Sequence, residues 1–294
     1  MNYILKNEHL KATVKTRGAE LMSVISLEDG TEYVWQGDAK YWEDRSPVCF
    51  PVTSSFFEGK YTCHGQTYEM GLHGFAQYTE FEVLSATDTE LVLKIESTDE
   101  TRAQYPFDFE FTLTYTLKGR ELICRADIKN TSNEVMPATF GAHPGFNTPL
   151  TAGAGEFEDY YLEFATPCAP LYEPIDKKTF FLTGERLPLA LENDRILRLR
   201  HDMFIPDGIF CKDTAREVTL RSDKDPRSVT VRFYDMPYFG IWQEYGLDTP
   251  FLCIEPWCAP PDNHGVRQDI FDRTDIFKLE PSEIKTISYS IFFN

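Results

Sequence analysis

FEFTLTYTL (109–117) alternates without a break. Phe109, Phe111, Leu113, Tyr115 and Leu117 fall on one side of an extended chain, and Glu110, Thr112, Thr114 and Thr116 on the other. A period of two with one apolar face is the pattern of a half-buried antiparallel strand. The pattern repeats on both sides of it. FEVLSATDTELVLKIES (81–97) reads as two strands joined by a polar turn around Asp88, and ELICRADIKNTS (121–132) as a strand ending in turn residues. Further strand signals are EVTLRSD, SVTVRFYD, FGIWQEY, FLCIEP and TISYSIFF, with Gly and Pro between them. Only DNHGVRQDIFDR (262–273) hints at a short helical turn, and residues 151–190 form a looser, Pro- and Gly-rich excursion. The expectation is an all-β fold, a large antiparallel β-sandwich, in one domain over residues 1–294.

Composition narrows the function. The chain has 294 residues, 42% of them hydrophobic and 14% aromatic, enough for a sizeable core. A net charge of −18 argues against nucleic acid and anionic membrane surfaces as partners, since both select basic patches. The seven cysteines are scattered with no CxxC, as expected of reduced thiols in a cytoplasmic protein. The first twenty residues hold no long apolar core, so no signal peptide is expected, and no run of 18 apolar residues could span a membrane. There is no HExxH or Cys/His metal pattern, no GxSxG elbow and no glycine-rich phosphate loop.

Six histidines remain to inspect: His9, His64, His73, His143, His201 and His264. His73 in LHGF and His143 in AHPGFN each precede a Gly–Phe pair, where glycine allows close approach of a ligand. A single such histidine is by default a satisfied structural group. The third unusual residue is Glu255, at the end of the apolar run FLCIE (251–255) and before Pro256. In an extended strand Phe251, Cys253 and Glu255 share one face and Leu252 and Ile254 the other. Pro256 is expected to help end the pairing, leaving Glu255 at the rim of a sheet and facing a cleft. A carboxylate there is either paired structurally or used, because stripping its water is expensive. One acid and two imidazoles can make a general acid/base pair near neutral pH.

Five stretches in order over nearly the whole chain resemble the aldose 1-epimerase (galactose mutarotase-like) family, in its LacX-like branch. They are TRGAELMSV (16–24), PVCFPV (47–52), LHGF (72–75), AHPGFN (142–147) and LCIEPW (252–257). The resemblance implies the family's antiparallel β-supersandwich and a cofactor-independent isomerase acting on a monosaccharide. It implies Glu255 as the base that takes the proton from the anomeric hydroxyl and His143 as the acid that protonates the ring oxygen. The ring opens, the C1–C2 bond rotates, and closure on the other face inverts the anomer. His73 is then expected to hold substrate hydroxyls or share in acid catalysis. Asp202, in RLRHDMFIPDGIF (198–210), best matches a substrate-binding aspartate, with Asp207 as competitor. Trp242 is a candidate for stacking on the sugar's apolar face, or an ordinary core tryptophan. Relatives often carry arginine where this chain has Ser55 and Gln77, and Arg45 is a nearby substitute, or a surface ion-pair partner of Glu43 or Asp44. Loss of both arginines argues for a neutral aldose rather than a hexose phosphate. The alternatives are a sugar-binding or sensor protein without turnover, and a hexose-phosphate mutarotase.

Overall fold

The computed structural model describes residues 1–179, 181–262, 265 and 267–294; of the residues singled out above, only His264 lies outside them. The strand Phe109–Lys118 buries every second side chain, Phe109 to Leu117, as its alternation requires. It pairs with Glu121–Asn130 in a register that sets Leu122, Cys124, Ala126 and Ile128 on the same apolar face. From this hairpin a nine-stranded sheet grows both ways. Glu90–Glu96 and Glu82–Ala86 lie on one side; Ile284–Phe293, Asp225–Arg232, Glu217–Ser222, Tyr160–Phe164 and Ile196–Arg198 follow on the other.

A second, eight-stranded sheet carries the functional side chains. Its middle is Tyr238–Trp242, then Phe251–Trp257, then the short pieces Gly141–Ala142 and Gly145–Asn147, with Val48–Cys49 outermost. All ladders between the strands of both sheets are antiparallel. The sheets pack through aromatic residues, with Phe50 stacked on Phe111 at 4.2 Å and Phe164 against Phe239 at 5.6 Å. The only α-helix among the described residues is Asp99–Arg102, capped by Thr98. A three-stranded sheet, Asn2–Lys6, Leu10–Lys15 and Leu21–Ser26, adds Leu5, Leu10, Val14 and Leu21 to the core.

Two expectations are corrected. The strand Phe251–Trp257 does not end at Pro256: Pro256 pairs with Phe239 and Trp257 with Tyr238. Proline is tolerated because its missing N–H falls on the same side as the Ile254 amide, which donates to the Pro144 carbonyl at 3.0 Å. On that side the neighbouring chain is broken between Gly141–Ala142 and Gly145–Asn147, so no ladder bond is lost. Glu255 therefore sits on an interior strand, not at a sheet's rim. Within the loose 151–190 segment, Tyr160–Phe164 is an inner strand of the large sheet. In 262–273 the described helical element is a single 3-10 turn, Ile270–Asp272, capped by Asp269.

Candidate active site

Side-chain alternation along Phe251–Trp257 divides its residues between two environments. Leu252 and Ile254 enter the main core. Phe251 and Cys253 join Trp35, Trp42 and Trp242 in a separate aromatic cluster on the opposite face, and Glu255 follows them. Glu255 lies at the floor of a cleft of about 410 Å³. It is opposite Gly240, where a Cβ would come within 2.9 Å of the Phe210 ring and 3.2 Å of the Glu255 Cβ. Glycine there leaves the carboxyl room to reach the cleft.

His143 occupies the break in the neighbouring chain, directly across from Glu255. Its Nε2 approaches Glu255 Oε2 at 3.3 Å, with both residues buried. Its ring packs between Trp42 and Trp242, with centroids at 5.2 and 5.5 Å. His73 reaches the same wall through a tight turn and itself adopts φ 61°. The next residue, Gly74, has φ +74°, and a Cβ there would lie 2.3 Å from the Phe50 carbonyl oxygen. Only glycine fits. The Ser54 amide donates to His73 Nδ1 at 3.0 Å, so the proton of the neutral imidazole is on Nε2. The two histidine rings meet edge to face at 5.2 Å.

Burial governs the electrostatics. It pushes the Glu255 carboxyl well above the usual carboxylate range, and the nearby Asp207 charge adds to this. Desolvation lowers His143 to about 4. It also takes His73 well below the ordinary imidazole value, and the neighbouring His143 contributes. The Glu255–His143 pair is thus held as a neutral unit that can carry one proton between carboxyl and imidazole. Cys253 adds a thiol, and donor atoms of His143, Cys253 and Glu255 lie within 4.8 Å of one another. Burial raises that thiol well above its normal range, which opposes the thiolate a metal would take.

The other expected residues divide. Trp242 lines the cleft, as does Gln77, whose amide donates to the Leu72 carbonyl at 2.7 Å. Asp202 does not. It is exposed on the turn His201–Phe204, paired with Arg200 at 2.9 Å, beside a different hollow. Asp207 lines the cleft instead, accepting from the Gly208 amide at 2.7 Å and from the Trp242 side chain. Arg45 is not among the cleft-lining residues. Its carbonyl accepts from the Gly145 amide at 2.8 Å, and its amide donates to buried Glu20 at 2.8 Å, anchoring the chain beside His143. Ser54 rather than Ser55 faces the cleft. Trp42, Asp44 and Glu244 also line it and were missed by sequence reading. The aromatic pair Tyr41–Trp42 beside Arg45 was the available signal for one of them. Of the other histidines, His9 is half-buried beside Glu8 and His64 is exposed beside Glu134. His201 stacks on Phe157 and bonds Gln243.

A family model described as aldose 1-epimerase matches residues 1–267. Protein LacX (chromosomal) of Lactococcus lactis subsp. lactis is 32% identical over 305 aligned residues, covering 99% of each chain. A galactose mutarotase related enzyme from Lactobacillus acidophilus superposes with a TM-score of 0.94 at 31% identity, over 100% of this chain and 97% of that one. A galactose mutarotase-like protein from Lactobacillus casei gives 0.93 at 27% identity over the full length of both. A match across nine-tenths of the sequence, with full-length relatives above 30% identity, places this chain in the aldose 1-epimerase family.

Proposed function

We propose that the protein is a mutarotase that interconverts the α and β anomers of a neutral aldose. The observation that carries this reading is the 3.3 Å approach of His143 Nε2 to Glu255 Oε2 at the floor of an aromatic-walled cleft. With the pair's one proton on His143, Glu255 takes the proton from the anomeric hydroxyl, and His143 gives its own to the ring oxygen. After rotation about C1–C2, Glu255 gives its proton to the carbonyl oxygen and His143 takes one back from the attacking hydroxyl, so the chemistry runs equally in both directions. Anomers interconvert slowly in water, so positioning plus two proton transfers is sufficient, each worth roughly 10²–10⁴-fold. His73, protonated on Nε2, donates to a substrate oxygen. Asp207 takes the hydroxyl-binding role that the sequence alone assigned to Asp202, and Trp242 and Trp42 offer faces to the apolar side of the ring.

Two features favour a neutral aldose over a hexose phosphate: no guanidinium or ammonium lines the cleft among the described residues, and Gln77 and Ser54 stand on its wall. A sugar-binding protein without turnover would need no acid and base placed together on one wall. The test is polarimetry. With freshly dissolved pure α-anomers, the protein accelerates the approach to an unchanged final rotation. Glu255→Gln is expected to lower that acceleration by about 10²-fold or more while sugar still quenches tryptophan fluorescence. An unchanged rate in the variant removes Glu255 from the role of base.

A further inference from the structure

The cleft wall has a charge character that a neutral sugar does not use. Asp44, Asp207, Glu244 and Glu255 supply four carboxyl groups, and no lysine or arginine side chain lines the cleft among the described residues. Burial raises Asp207, Glu244 and Glu255 alike, and Asp207 stands within electrostatic reach of each of the other two. Neither Glu255 oxygen has a hydrogen-bond donor in good geometry, although the residue is 0% exposed. Trp42 and Trp242 line the same cleft, packed edge to face with centroids 5.4 Å apart. A hydroxyl offers such buried carboxyls neutral hydrogen bonds; a protonated amine offers charge-assisted ones and stabilises their ionised form, and aromatic faces attract the same group.

Resting on the reading of this cleft as a sugar site, but departing from it in the charge of the preferred sugar, we infer that it selects aldoses bearing a protonated amine, hexosamines, over neutral hexoses, and rejects aldoses bearing phosphate or carboxylate. Asp207 and Glu244 are the groups that meet the ammonium, leaving Glu255 and His143 for C1 and the ring oxygen. The proton chemistry is unchanged, because the amine takes no part in ring opening.

The experiment uses the full chain at mildly acidic pH, where the sugar amine is charged. Catalysed rates above the spontaneous ones are measured by polarimetry for glucose, glucosamine, N-acetylglucosamine, glucose 6-phosphate and glucuronate. Tryptophan quenching gives the affinity for each. The expected result is a kcat/KM for glucosamine roughly tenfold above glucose, an advantage lost on N-acetylation, with the two anions slowest. Glu244→Gln is expected to move the glucosamine-to-glucose ratio toward one. If glucose turns over but glucosamine is neither faster nor tighter, the charge selection is wrong and the mutarotase reading stands. If no sugar turns over yet glucosamine binds about tenfold tighter than glucose, the selection stands and the mutarotase reading falls. An advantage that survives N-acetylation overturns the inference as well.

Discussion

Burial acts on Glu255, His143 and His73 in one sense: it disfavours charge on each of them. For a proton relay this is useful, because the neutral pair needs only one proton to work and exchanges it internally. It also fixes a pH dependence. The acid limb of kcat/KM appears when the pair gains a second proton. That proton goes to an imidazole lowered to about 4, so activity persists well below the ordinary histidine range and falls only as pH drops through about 4. A pH–rate profile checks this; an acid limb near 6.5 would mean that the titrating histidine is not His143 in its buried setting. The pair titrates as a unit, so the profile reports both groups together.

At the level of strands, much was readable in advance because the physics is local. Alternation in 109–117 fixed both the strand and its buried face. The same rule put Glu255 on the face opposite Leu252 and Ile254 without knowledge of the fold. What escaped depended on neighbours. Pro256 looks like a strand end until one sees that the adjacent chain breaks at His143–Pro144. Asp202 and Asp207 are five residues apart, and only the course of the turn His201–Phe204 and the following chain decides which faces the cleft. Tyr160–Phe164 lies in a glycine-rich region whose composition resembles a loop, yet its neighbours supply both ladders. One strand position provides a direct test. Gly240→Ala sets a methyl against Phe210 and Glu255. It is expected to cost about 1–3 kcal/mol in urea denaturation. It should also lower kcat by roughly 10²-fold through displacement of the carboxyl. A variant that loses stability but keeps full kcat would show that Glu255 tolerates the shift.

For the molecule as a whole, the buried site leaves a signature in stability. Glu255 keeps its proton in the fold at a pH where the unfolded chain has lost it. Its contribution is therefore fully present below the unfolded value near 4.5 and declines as pH rises toward its raised folded value. His73 and His143 act in the opposite sense: both stay neutral in the fold, so stability falls as pH drops below about 6.5, where the unfolded chain binds their protons. Comparison with Glu255→Gln isolates the glutamate. The variant should gain on the native protein by about 1.4 kcal/mol for each pH unit above roughly 4.5, until the native carboxyl ionises. Urea melts from mildly acidic to mildly alkaline pH measure that difference, and a gap constant with pH would contradict it.

The composition of the cleft wall has a consequence for the lifetime of such an enzyme. Ring opening frees an aldehyde, and sugar aldehydes condense with uncharged lysine amines to imines that rearrange into permanent adducts. In the proposed reaction the open-chain sugar would be enclosed by carboxyls, imidazoles and indoles, none of which forms that linkage. Each turnover of that reaction would expose the reactive carbonyl only to partners that cannot capture it, sparing the protein glycation by its own intermediate.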